Sequence, residues 1–131
     1  MPSIFTKIIK REIPAHIVAE NEDAIAFLDI RPLTKGHTLV VPKKEVDYLF
    51  DLDEDTYIKL HLFAKEVASK IDKVIPCERV STAVIGLEVP HVHIHLIPIN
   101  DMSDTNFSNP KLQLSDEEMQ QIAQKISTAA V

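Results

Sequence analysis

The chain has 131 residues, 45% of them hydrophobic, which suits one packed core and argues against a disordered chain or two independent domains. Its formal net charge of −6 disfavours non-specific gripping of DNA or RNA, an affinity that comes from basic residues neutralising phosphates. Cys77 is the only cysteine, so no internal disulfide forms, and neither a charged-then-apolar leader nor an apolar run of ~18 residues is visible; the expectation is a protein of the reducing cytoplasm with no membrane span.

In chain order, residues 6–11 read as a short helix or turn stopped before Pro14, and 16–20 as a first strand. Residues 24–30 form a second strand with period-2 alternation: Ile25, Phe27 and Asp29 face one way, Ala24, Ala26, Leu28 and Ile30 the other. Residues 31–36 carry Pro32 and Gly36 and read as a loop, and 37–41 as a third strand ended by Pro42. Tyr57, Leu60, His61, Ala64, Val67, Ala68 and Ile71 then line one face of a long helix, with Asp53 as its N-cap and Pro76 just past its end. Residues 79–85 read as a fourth strand, 86–90 as an interruption and 91–97 as a fifth; 100–111 has loop composition. Ser115 and Glu118 write a capping box for a terminal helix, with Leu114 and Met119 at the staple positions. No repeat or linker divides the chain, so the expectation is α+β: one domain over 1–131, with a core over 3–100 and a loop and helix over 101–131.

A mononucleotide site remains compatible with an acidic chain, because a local patch can be positive. Arg31, Lys35, Lys43 and Lys44 either supply such a patch or are ordinary surface charges, and the sequence weighs the two equally.

Three of the six histidines fall at positions 91, 93 and 95. On a strand that spacing puts them on one face with Ile97, while Val92, Ile94 and Leu96 form an apolar face able to bury against a helix. Three imidazoles in a row are costly to bury without partners, and incidental surface histidines leave the regular spacing without a reason. Two chemistries use such a row. A zinc site needs three or four donors, and Cys77, Asp29 or His37 would have to complete it without any recognisable spacing. Alternatively, a neutral imidazole attacks phosphorus, forms a phospho-histidine and is displaced by water.

The run His91-Val92-His93-Ile94-His95-Leu96-Ile97 resembles the signature of the histidine-triad (HIT) family. The segments 5–14, 26–32 and 36–44 resemble that family's N-terminal segment, its ribose-binding strand and turn, and its next strand, in the family's order. The resemblance spans roughly 3–100 and fades beyond. It implies a HIT-like fold: a five-stranded, mostly antiparallel sheet with one long helix, a short N-terminal helix and a C-terminal helix. It also implies a hydrolase that cleaves at the α-phosphate of purine nucleotide conjugates of the nucleoside phosphoramidate type, releasing a nucleoside monophosphate without cofactor or metal. By similarity, His93 is the nucleophile, His95 donates to a phosphate oxygen, and His91 positions the nucleophile through its carbonyl. His37 matches the histidine behind the triad, and Asp29 the ribose-binding acid. Phe5, Ile8, Phe27, Ile30 and Leu39 match base-pocket positions. For Asp29 turn initiation is the plain alternative, and for Phe5, Ile8, Ile30 and Leu39 ordinary core packing.

One segment departs from the family pattern. Gly86-Leu87-Glu88-Val89 stands where relatives carry a glutamine and a hydroxyl residue that contact phosphate and leaving group, and the preceding asparagine has no counterpart. Leu87 has nothing to donate to a phosphate oxygen, and Glu88 would serve as a general acid if protonated or repel an anionic leaving group if ionised; with backbone N–H groups over 86–89 as the donors, highly charged polyphosphate leaving groups are expected to be poor. The resemblance also implies a homodimer, which Ile58, Leu62 and Phe63 on the long helix would support as partly exposed apolar side chains. Three other readings remain open: a dinucleoside polyphosphate hydrolase or nucleotidyltransferase, a non-catalytic nucleotide sensor, and a metal-binding protein.

Overall fold

The computed structural model describes residues 2–131. The first helix, α1 (Ile4–Ile9), begins at Ile4 rather than at Thr6 because the Ser3 hydroxyl accepts the Thr6 N–H and caps it. It ends where Arg11 turns left-handed (φ 63°), the Arg11 and Glu12 N–H groups bonding the Ile8 and Lys7 carbonyls.

The remaining elements are β1 (Ile17–Glu20), β2 (Ala24–Leu28), β3 (Thr38–Pro42), α2 (Glu54–Val74), β4 (Arg79–Ala83), β5 (Ile94–Ile99) and α3 (Asp116–Thr128), with short 3-10 turns at Leu49–Asp51 and Met102–Thr105. Among the described residues the strands form one sheet in the order β1-β2-β3-β5-β4, every neighbouring pair antiparallel. The architecture is the expected α+β. Among the described residues no helix is long and apolar enough to cross a membrane.

Several strand ends differ from the sequence reading. β2 stops at Leu28, because Asp29 starts a turn, its Oδ1 accepting the Arg31 N–H at 2.9 Å. β4 stops at Ala83, short of Gly86, whose φ of 74° ends extended backbone. Most consequentially, β5 starts at Ile94 and not at His91. Its ladder with β3 runs from Thr38↔Leu96 to Val40↔Ile94, and upstream the His91 N–H closes a turn on the Val89 carbonyl at 2.9 Å. His91 and His93 thus lie beyond the end of that ladder.

The sheet separates two apolar clusters. Ala24, Ala26, Leu28, Val40, Ile94 and Leu96 face α2 and α3. On the other face Phe5 and Ile8 of α1 pack with Ile25, Phe27, Leu39 and Val41. The alternation read in β2 is therefore realised with both faces covered, each fully buried large side chain contributing about 1.5–3 kcal/mol relative to exposure. Register places Phe27 opposite Leu39 and Leu39 opposite His95, so the α1 face of the sheet leads directly to the histidines.

Asp53 caps α2, accepting the Thr56 N–H, and Ser115 and Glu118 form the expected capping box on α3. The buried α2 face is Leu60, Phe63, Ala64, Val67 and Ile71. Phe63 was expected to be partly exposed but is buried in the core cluster between the helices and the sheet; Ile58 (48% exposed) and Leu62 (58%) do face outward. His61 is exposed and bonds the Tyr57 carbonyl. Gly36 is required where it stands: at φ 90° a Cβ would lie 3.0 Å from Ile75 Cγ1, so glycine lets the β2–β3 turn seat against the end of α2.

Candidate active site

Four histidines converge: His37 and His91 are 1% and 0% exposed, His93 and His95 7% and 8%. The partners of each ring dictate where its proton sits. His93 Nδ1 lies 2.8 Å from the His91 carbonyl, which only accepts. His93 therefore carries its proton on Nδ1 and leaves a lone pair on Nε2. His91 Nε2 lies 2.8 Å from the Pro42 carbonyl, so it donates, and His91 Nδ1 accepts from the Ser3 hydroxyl at 2.6 Å.

The other pair runs in the opposite sense. The Leu33 N–H donates to His37 Nδ1 at 3.0 Å, which puts the His37 proton on Nε2. That Nε2–H donates to His95 Nδ1 at 2.9 Å. His95 then holds its proton on Nε2. Two imidazoles whose centroids are 5.0 Å apart thus carry opposite tautomers: His93 offers a lone pair and His95 an N–H.

Burial enforces neutrality. It pushes His37 down to about 3, with His95 adding to the effect, and His95 down to about 4, with His93 adding. Burial also lowers His91. At pH 7 these three rings are uncharged. Burial raises the Asp29 carboxyl above its ordinary value, against the opposing Arg31 N–H. Its Oδ2 stands 3.7 Å from His37 Nε2.

The apolar wall is Phe5, Ile8, Phe27 and Leu39 in one cluster, with half-buried Val89 packed against it. Phe5 meets His93 edge-on at 5.0 Å between centroids and Phe27 at 5.6 Å. Not every expected residue joins them. Ile30, two residues past the end of β2, is 74% exposed and outside this cluster, and Leu87 is 90% exposed. Glu88 is exposed as well, and Gly86 faces open space. The positive patch does not form as a unit: Lys43 pairs with Glu20 at 2.8 Å and Lys44 with Asp53 at 3.1 Å.

By distance, Asp29, His37 and His95 could hold a metal ion, their donor atoms lying within 4.8 Å of one another. The bonding argues against it. Coordination through His37 Nε2 would move the proton to Nδ1, where it would meet the Leu33 N–H, donor against donor. Cys77 contacts Asp72 and takes no part in this group.

Sequence reading missed four participants. Ser3 could have been seen as an N-cap, but its partner His91 is 88 positions away. The Pro42 carbonyl and the Leu33 N–H are backbone groups, which side-chain motifs do not reveal. Phe107, on the segment after β5, meets His95 edge-on at 4.9 Å, and nothing in its loop composition signals this.

Comparison with known proteins identifies a family and a fold. The family model described as HIT domain matches residues 10–102. An uncharacterized HIT-like protein of Methanocaldococcus jannaschii is 41% identical over 99 residues, covering 72% of this chain and 77% of its own length. The adenosine 5'-monophosphoramidase of Schizosaccharomyces pombe is 32% identical over 134 residues, covering 98% of each chain. The crystal structure of a HIT-like protein of Bartonella henselae, described as involved in cell-cycle regulation, superposes with a TM-score of 0.84 at 31% identity, over 98% of this chain and 96% of that one.

Proposed function

Because this chain belongs to the HIT domain family, with that family's fold, we propose that it is a nucleotide hydrolase acting at the α-phosphate of purine nucleotide conjugates of the nucleoside phosphoramidate type. The observation that carries the reading is the pair of opposite tautomers. A nucleophile and a phosphate-oxygen donor stand side by side, each fixed by a partner behind it. The kinship with the S. pombe monophosphoramidase supports the same reaction class.

In the first step the His93 Nε2 lone pair attacks phosphorus. A P–N bond to the imidazole forms, and the bond to the leaving amine breaks; the amine departs with that electron pair and is protonated by solvent. His93 keeps its Nδ1 proton, so the nucleotidyl-imidazole is cationic, and the His91 carbonyl stabilises that charge. The His95 Nε2–H donates to a non-bridging phosphate oxygen, and His37 holds His95 in the tautomer that can do so. Water then attacks phosphorus, the P–N bond returns its electrons to Nε2, and a nucleoside monophosphate leaves with a proton released to solvent. Two inversions give net retention at phosphorus.

Phe5, Ile8, Phe27, Leu39 and Val89 would line the base, with Ile30 at its edge, and the half-buried Asp29 would take the ribose hydroxyls. Over 86–89 backbone N–H groups and the exposed Glu88 side chain would meet the leaving side, since exposed Leu87 has no side-chain donor. Polyphosphate leaving groups should accordingly turn over far more slowly than amines. The whole chain would act as one domain, and outward-facing Ile58 and Leu62 support a homodimer. The single free cysteine is consistent with a cytoplasmic protein.

Intact-mass analysis of protein mixed with an AMP-amine conjugate and quenched in mild base tests the reading. A gain of one adenylyl group in wild type and none in His93→Ala is expected. Absence of both adduct and AMP release, with nucleotide still bound, would replace the enzyme with a sensor.

A further inference from the structure

The ladder between β3 and β5 ends at Val40↔Ile94, so sheet pairing with β3 does not hold the His91–His93 segment. Other contacts do. Upstream of the ladder, the Val92 N–H reaches the Val46 carbonyl at 2.8 Å, and the His91 ring spans between the Pro42 carbonyl and the Ser3 hydroxyl. Ser3 is itself held from two sides. Its N–H donates to Glu45 Oε1 at 2.8 Å, and its hydroxyl accepts the Thr6 N–H while donating to His91. Thr6 Oγ1 also bonds Glu45 Oε1, so α1 is tied to the segment just after β3.

We propose that Ser3 is a positioning residue for the nucleophile, its hydroxyl anchoring His91 at Nδ1 and thereby setting the carbonyl that orients His93. The logic is one of proton direction. The Pro42 carbonyl holds the His91 hydrogen on Nε2, which leaves Nδ1 a buried acceptor, and Ser3 Oγ–H is the donor that satisfies it. Without that donor, Nδ1 is a buried acceptor with no partner, and the ring keeps only one of its two anchors. The His91 peptide then loses its anchor, and the His93 lone pair loses its aim. Ser3 and His91 are both buried, so water does not readily replace the missing donor. The inference rests on His93 being the nucleophile.

The test compares wild type with Ser3→Gly, Ser3→Thr and Thr6→Val by imidazole 15N NMR and by turnover of an AMP-amine conjugate. Glycine costs a helix cap only a few tenths of a kcal/mol, so Ser3→Gly removes the donor while α1 still docks through Phe5 and Ile8. Thr6→Val loosens α1 but keeps the hydroxyl on His91. Wild type should show His91 protonated on Nε2. In Ser3→Gly the hydrogen should stay on Nε2 while the His91 Nδ1 resonance moves downfield for want of its hydrogen bond, and kcat should fall about 10- to 100-fold with KM little changed, as misaimed reacting groups do. Ser3→Thr should restore both, and Thr6→Val should alter neither. An unchanged His91 Nδ1 resonance and kcat in Ser3→Gly, or an equal loss in Thr6→Val, would overturn the proposal. A wild type that neither turns over nor forms an adduct would instead overturn the reading of His93 on which the proposal rests.

Discussion

Two halves of the histidine cluster solve the same problem from opposite ends of the fold. His93 is oriented from the α1 side, through the His91 carbonyl and the Ser3 cap. His95 is oriented from the β2–β3 turn, through His37 and the Leu33 N–H. The side chains are chemically identical, and their different roles come from what stands behind each ring: a carbonyl behind one, a ring N–H behind the other. A row of equivalent imidazoles becomes a nucleophile and a donor because backbone polarity breaks its symmetry.

The largest effect should come from removing the lone pair. His93→Ala should lower turnover by at least about 10⁴-fold in steady-state kinetics, with nucleotide affinity in equilibrium titration largely kept. Next, His95→Ala removes a preorganised donor and should reduce kcat about 10²- to 10³-fold. His37→Leu should cost less, about tenfold, because it acts only through the tautomer of His95. A His37→Leu loss equal to that of His93→Ala would break the assignment of separate roles.

Gly36→Ala strikes the turn half alone. The alanine must hold φ near 90° with its Cβ about 3.0 Å from Ile75, so a stability loss of about 1–3 kcal/mol is expected by chemical denaturation. Gly86→Ala, where no atom lies within 4 Å of the new Cβ, should cost less.

The smallest effect is a pH dependence of stability. His37 and His95 have folded values of about 3 and about 4, below the ordinary 6.5. Between those values and 6.5 the unfolded chain binds the protons that the folded chain refuses. Their contribution is therefore fully present above about 6.5 and is lost as pH falls toward 4 and then 3. Asp29, raised by burial, works in the opposite direction as pH rises through its folded value. Denaturation midpoints measured from pH 7 down to 4 should fall, and the fall should shrink in a His37→Leu variant.

Much of the fold could be read from patterning, because its signals are local. The α3 capping box, the Asp53 cap and the alternation of β2 each depend on residues a few positions apart. The triad spacing likewise announced one shared face. The start of β5 could not be read, because Val92 and His93 have strand-like alternation and only the pairing with β3 shows where the ladder stops. Phe63 differs because the buried stripe of α2 includes position 63 and leaves out 61, and periodicity alone does not fix where the edge of such a stripe falls. The His93 tautomer follows from the resemblance, but that of His95 was hidden for the same reason as Ser3: both depend on contacts across long sequence separations or on backbone atoms that carry no residue signature.

The account rests on opposite tautomers at His93 and His95. Imidazole 15N NMR of the wild-type protein at pH 7, with each histidine assigned by substitution, measures this directly. The prediction is hydrogen on Nδ1 of His93 and on Nε2 of His95, with the His95 ring neutral. Finding hydrogen on the same nitrogen in both rings, or a charged His95, would contradict it.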